Sequence, residues 1–214
     1  MLQERWPEIA ARLESVEPLA SVSRSTDSSE PTLILDGIHL SSSYGRLEEA
    51  ALQASLVPKH SQRAWVYGVG GGDLQRVLLQ RKAIESLTVI VMNLTVLRES
   101  LAYFEHSDWL SDSRVKIMTA DIAEDVKFPF AAIPSCLQLA DDSSARLRDM
   151  IFLELSTPFI HRQHRVGKKE LVQRIQENIG FVRSDGDVRS LWGKSKSETI
   201  LLAAAGPTLA DHYS

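Results

Sequence analysis

The stretch Val66-Tyr67-Gly68-Val69-Gly70-Gly71-Gly72-Asp73-Leu74 constrains the fold of this chain more than any other. Trp65, Val66 and Val69 belong to a short apolar run that suits a buried parallel strand, and Leu74, Val77 and Leu78 recur beyond it at helical spacing. Between strand and helix the backbone has to turn sharply, and glycine permits that turn. The same alternation continues downstream. It predicts a strand over 64–69, a helix over 73–82, a strand over 87–92, a helix over 94–104 and a strand over 115–119, which is the β-α-β pattern of a parallel sheet covered by helices. A fourth strand is expected near 131–139, although two prolines interrupt it, and a helix over 145–155.

The flanks are organised differently. Trp6, Ile9, Leu13 and Val16 share one face of a helix over residues 1–20, and the polar run Ser21 to Ser29 reads as a flexible linker. Thr32–Leu35 and Ile38–Ser41 flank Asp36-Gly37, a pair that accepts the positive backbone angles of a tight hairpin. Arg46 to Leu56 reads as a helix ended by Pro58. Lys168 to Ile179 is an amphipathic helix through Leu171, Val172, Ile175 and Ile179, with Gly180 as its stop, and Thr199–Ala203 is a final strand. The fold expected is α/β, a Rossmann-like (methyltransferase-like) three-layer α/β/α sandwich with an N-terminal helix and a β-hairpin. Its segments are 1–30 (helix and linker), 31–205 (hairpin and Rossmann-like domain) and 206–214 (the start of a truncated segment).

Composition narrows the partners. With 24 basic and 28 acidic residues the net charge is -4, which gives no electrostatic reason to expect nucleic acid or an anionic membrane. The single cysteine, Cys136, cannot form an internal disulfide, the N-terminus lacks the apolar core of a secretory signal, and no apolar run approaches the roughly 20 residues of a membrane span. A cytoplasmic location is the reading that follows.

A strand–glycine–helix junction can hold a nucleotide-type ligand if glycines admit close approach, helix N-terminal amides face polar groups, and an acid on the next strand takes a ribose. Gly68, Gly70, Gly71 and Gly72 meet the first requirement. The G-x-G-x-G spacing is similar to that of S-adenosylmethionine-dependent methyltransferases, whereas a dinucleotide fingerprint would need glycine where Asp73 stands. Asp73 reads as the N-cap of the following helix. At the end of the second strand the ribose position is held by Asn93, which lacks the two equivalent oxygens of a carboxylate. The place before the glycines, where those enzymes usually carry an acid, is Val66. Asp121, after the third strand, stands where methyltransferases often carry an adenine-contacting acid, and it equally suits a helix cap. The glycine loop itself remains open between a ligand site and a tight turn without a ligand. The candidate cofactor-binding residues are therefore Gly68, Gly70, Gly71, Gly72, Asn93 and Asp121, with S-adenosylmethionine or another nucleotide-type ligand as cofactor, and no catalytic residue stands out. His161 and His164 have helical spacing, but Arg162 and Arg165 interleave them and no acidic or cysteine partner lies nearby, so a solvated basic loop is preferred to a metal site. Cys136 reads as a small buried apolar residue.

Three ordered segments resemble motility accessory factors, the Maf-type flagellin glycosyltransferases related to MptE-like proteins. Leu40-Ser41-Ser42-Ser43-Tyr44-Gly45-Arg46-Leu47-Glu48-Glu49-Ala50 is similar to that family's LHSxYxPxxEA element, matching at Ser42, Tyr44, Glu49 and Ala50, with Ser41 in place of histidine and Arg46 in place of proline. Val66–Leu74 resembles its glycine loop, with Asn93 again departing from the acid that usually follows. Leu191–Lys194 through Gly206-Pro207-Thr208-Leu209 resembles the entry into its central domain, with Thr208 at the serine position. The resemblance implies an N-terminal Rossmann-like domain lacking the glycosyltransferase catalytic domain. Its role would be binding or assembly in bacterial flagellin glycosylation, with flagellin or a flagellar glycosylation protein as partner. A homodimer formed by strand addition at the Leu33–Ser41 hairpin is a further expectation. The alternative is an S-adenosylmethionine-dependent methyltransferase acting on a small molecule.

Overall fold

The computed structural model describes residues 1–17, 21–25, 30–163, 169–184 and 189. The chain divides into two compact units, Met1–Pro158 and Phe159–Ser214.

The first unit opens with α1 (Leu2–Arg5) and α2 (Pro7–Glu14), not the continuous helix expected. Pro7 explains the break: its ring disfavours helical backbone at the preceding residue, and Trp6 accordingly sits at φ -139°, ψ 65°. Strand β1 (Val22–Arg24) lies within the segment read as a linker. It pairs antiparallel with β2 (Leu33–Leu35), which pairs in turn with β3 (Ile38–His39). Asp36 and Gly37, at φ 48° and 78°, make the tight turn between β2 and β3. Polar composition concealed β1, because its three residues are exposed and carry no apolar alternation. β2 is thus the central strand of this sheet, with β1 and β3 at its edges.

The helix α3 (Arg46–Ala54) leads to the second sheet, built from β4 (Arg63–Tyr67), β5 (Ser86–Val91), β6 (Val115–Thr119) and β7 (Phe130–Ala132). All of its neighbours are parallel, in the order β6-β5-β4-β7. The first three parallel strands thus step outward one way, and the fourth crosses back to the other side of the first. This is the Rossmann-like strand order, and it places a topological switch point between the carboxyl ends of β4 and β7. The expected fourth strand is shorter than its segment, because Pro134 starts a helix immediately after it.

The two faces of this sheet follow from strand alternation. Val66, Val89, Ile117 and Ala131 join one core with Ala50 and Ala54 of α3, Leu74 and Leu78 of α4 (Asp73–Leu79) and Val96 and Leu97 of α5 (Leu94–Tyr103). Tyr67, Ile90, Met92 and Ala132 join the other with Leu137 of α7 (Pro134–Gln138) and Leu147 and Ile151 of α8 (Ala145–Gln163). A short helix, α6 (Ser107–Leu110), inserts Trp109 and Leu110 into the first core.

In the second unit, α9 (Lys169–Ser184) runs through Gly180 without stopping there. An exposed helix tolerates a glycine at about 1 kcal/mol, so the residue alone is not a terminator. The expected strand Thr199–Ala203, the 206–214 segment and His164 lie outside the described residues.

Candidate functional site

Tyr67 ends β4, and Gly68, Gly70 and Gly72 follow at φ 102°, 55° and 84°, angles that glycine adopts freely. The turn delivers the chain into α4, whose N-cap is Gly72 rather than the expected Asp73. With glycine at the cap, the Asp73 carboxylate is released to a different task. Its Oδ2 accepts from Arg46 Nη2 at 2.8 Å and Nε at 3.0 Å, in a pair largely withdrawn from solvent. Arg46, at the start of α3, therefore ties that helix to the glycine loop. Glu49 Oε2 of the same helix accepts from Ser42 N–H at 2.6 Å, while the Tyr44 side chain is exposed.

What covers the loop was not legible in its own sequence. Ile133 and α7, arriving from β7, lie directly on it at the switch point. A Cβ added to Gly68 would stand 2.4 Å from Cys136 Cβ and 2.8 Å from its Sγ, and one added to Gly70 would stand 3.0 Å from Ile133 Cδ1. The Val69 and Gly70 amides interact with the Cys136 sulfur. Burial pushes that thiol up to about 11, against the lowering effect of the two amides and of the Ser135 hydroxyl. Ser135 Oγ also donates to Leu40 O at 2.9 Å, fastening α7 to the end of the hairpin. The crevice left among Gly68, Val91, Asn93, Leu97 and Cys136 is about 10 Å³. That is room for about one water by the same measure, against roughly 300 Å³ or more for a ligand of drug size.

Asn93 is the N-cap of α5: its Oδ1 accepts from Thr95 N–H at 2.8 Å and Val96 N–H at 3.4 Å. Its Nδ2 donates to Leu139 O at 2.8 Å, so the amide is engaged on both sides. Asp121 lies within a 3-10 turn after β6 and caps nothing with its side chain. The Thr119 hydroxyl, then Arg12, hold its carboxyl below the usual carboxylate range, and Arg12 Nη1 approaches it to 3.1 Å. Gly68 and Asn93 thus share one small crevice, Gly70 and Gly71 line another of about 20 Å³ beside Arg46 and Glu49, and Asp121 lines a third, of about 180 Å³, with Glu124 and Arg146. The six candidate residues do not converge on one cavity.

Behind the loop stands a buried polar network that no motif announced. Ser100 Oγ donates to Gly70 O at 2.5 Å and contacts His106 Nε2 at 2.9 Å, and Trp109 Nε1 donates to His106 Nδ1 at 2.8 Å. Since the indole can only donate, Nδ1 is the acceptor and the ring proton resides on Nε2. Burial pushes the His106 pKa down to about 4, with Arg76 acting in the same direction and the Ser100 backbone opposing it. Gln75, also buried, donates from Nε2 to Gly68 O and Val69 O, while its Oε1 has no partner. Among the described residues no group of His, Cys, Asp or Glu is arranged to hold a metal, and no helix is long and apolar enough to cross a membrane.

No protein-family model and no curated protein sequence matches the chain. Among solved structures it is similar to a spermidine synthase in complex with the transition-state analogue AdoDATO (TM-score 0.40, 18% identity, 50% of this chain and 41% of that one). It is also similar to spermidine synthase from Thermotoga maritima (TM-score 0.43, 15% identity, 56% of this chain and 51% of that one). The chain thus spans about half or less of the length of these two proteins. Neither overlap identifies a reaction or a substrate for this chain.

Proposed function

We propose that this chain is a binding or assembly module built on a Rossmann-like fold, with a glycine crevice that is filled from within. The observation that carries the reading is the seat of Cys136, whose Cβ and Sγ stand 2.4 and 2.8 Å from where a Cβ on Gly68 would lie and leave a crevice of about 10 Å³. The loop amides serve its sulfur, Asn93 caps a helix, and Asp121 is paired with Arg12. The residues present therefore do not fit S-adenosylmethionine in this arrangement, and no methyl-transfer step is derived through it. The three segments that resemble motility accessory factors support a place in flagellin glycosylation for such a module.

Titration calorimetry of the full chain with S-adenosylmethionine and S-adenosylhomocysteine tests the reading. The expected result is no saturable heat at millimolar ligand. Saturable binding would instead support the second reading, a small-molecule methyltransferase, which the strand order, the G-x-G-x-G turn and the position of Asp121 at the end of β6 favour.

A further inference from the structure

We propose that the cavity between the turn after β6 and the first turn of α8 binds a small aliphatic zwitterion, of the α-amino acid class. It shares no lining residue with the glycine crevice, so the inference goes beyond the reading of that crevice.

The cavity is a product of the strand order. β6 and β7 are the two edges of the sheet, and the chain that leaves β7 through α7 crosses the carboxyl ends of the strands before α8 begins. It is held on the way past β5, where Asn93 Nδ2 donates to Leu139 O at 2.8 Å and Asp141 N–H donates to Met92 O at 3.2 Å. Asp141 Oδ1 then accepts from Ser143 Oγ at 2.7 Å and Ser144 N–H at 3.0 Å, which shapes the 3-10 turn Asp142–Ser144. That turn packs beside Ala120–Ile122, the 3-10 turn that follows β6. About 180 Å³ is left between them, off the carboxyl ends of parallel strands, where open α/β sheets hold their ligands.

The buried Ala120 and Leu147, with the partly buried Ala123 and Met150, supply its apolar part. Three charged side chains complete it. Asp121 is answered by Arg12 at 3.1 Å. Among the described residues, the side chains of Glu124 and Arg146 have no ion pair and no hydrogen bond, and although both line the cavity they do not pair with each other.

One unanswered anion and one unanswered cation select the charge of the occupant. A simple anion would gain Arg146 but be opposed by Glu124 and Asp121, and a simple cation would gain the acids but be opposed by Arg146. A molecule that carries a carboxylate and an ammonium group meets neither objection. The guanidinium offers paired N–H donors to the carboxylate, and Glu124 accepts from the ammonium. Size agrees: the cavity is smaller than the roughly 300 Å³ of sites for drug-sized ligands, and its apolar part suits an aliphatic side chain.

NMR titration of the full chain with L-valine, L-leucine and L-methionine, each beside its decarboxylated amine and its N-acetyl derivative, tests the proposal. At least one amino acid is expected to bind saturably, shifting the amides of Ala123, Glu124 and Arg146, with its amine and N-acetyl forms about 10-fold weaker. Glu124→Gln and Arg146→Gln, at exposed positions, should each weaken binding about 10-fold and leave the thermal midpoint unchanged. Arg146→Gln should also erase the preference for the amino acid over its amine. The proposal is overturned if no amino acid saturates by roughly 10 mM, if the shifted amides lie elsewhere, if an amine or N-acetyl form binds as tightly as its amino acid, or if either variant binds like the parent chain. S-adenosylmethionine also carries a carboxylate and an ammonium group, so any heat it gives is assigned by repeating that titration on Arg146→Gln. Heat that disappears arises in this cavity and supports the proposal, whereas heat that remains arises at the glycine crevice and overturns only the closure over Gly68.

Discussion

Substituting Gly68→Ala puts a methyl group where Cys136 already sits. The backbone at φ 102° is one that an L-residue enters at about 1–3 kcal/mol. The added Cβ would approach Cys136 Cβ to 2.4 Å, and because that atom is fixed to a packed helix, relief requires α7 to move. Overpacking of this kind costs about 1–3 kcal/mol. Together the terms amount to about 2–6 kcal/mol, a large share of the roughly 5–15 kcal/mol that holds such domains folded. With a urea dependence of about 2 kcal/mol per molar, the unfolding midpoint should fall by about 1–3 M, read by circular dichroism. The backbone term remains in any partner variant, but the steric term does not. Cys136→Gly removes the opposing Cβ, so the double variant should recover about 1–3 kcal/mol relative to the sum of the singles. A cost below about 0.5 kcal/mol for Gly68→Ala, or strict additivity in the cycle, would refute the claim that α7 is seated on the loop.

The other predictions concern the groups around that seat. His106 has a folded-state pKa near 4, below its unfolded value of about 6.5, so the stability it carries is complete above pH 6.5 and is lost as pH falls toward 4. Urea unfolding should show a loss of about 2 kcal/mol between pH 7 and pH 5, and a His106→Gln variant with the same slope would show that another group is responsible. Cys136, with its thiol pushed up to about 11, should react with a disulfide reagent at pH 8 at least roughly 200-fold more slowly than in urea-unfolded chain. Rapid labelling of the native chain would contradict the packing. Asn93→Ala removes the cap of α5 and the bond to Leu139, for an expected loss of about 2 kcal/mol by thermal or urea melt, and a neutral result would return Asn93 to the list of free polar groups.

Local patterns in the sequence made the sheet legible. Alternation of apolar strand and helix predicted β4, β5 and β6 within a residue or two, because each buried strand is a short apolar run bounded by a turn, and Asp36-Gly37 specified its hairpin by backbone preference alone. β1 escaped because its residues are exposed, and its pairing depends on β2 and not on its own pattern. The site was legible only as a set of positions. That Gly68 meets Cys136, 68 residues further along, is a property of the crossover that brings β7 beside β4, and nothing in the local composition of Pro134-Ser135-Cys136 announces it. The Ser100, His106 and Trp109 network was hidden for a similar reason: these are ordinary residue types whose roles arise from burial against a carbonyl of the loop.

Asn93 does more than cap α5. A carboxylate at this position could still accept from Thr95 and Val96, so helix capping does not require the amide. Only the amide can donate to the Leu139 carbonyl, just past the end of α7; a carboxylate would set two acceptors against each other. Asp141 N–H, two residues further, bonds to Met92 O, so the strand end beside Asn93 holds the chain on both sides of Ala140. The Asn93 side chain thereby fastens the segment that carries Cys136 over Gly68. The amide at Asn93 and the seat of Cys136 over Gly68 are two aspects of one packing arrangement, in which the polar groups at the ends of β4 and β5 are satisfied by the chain itself.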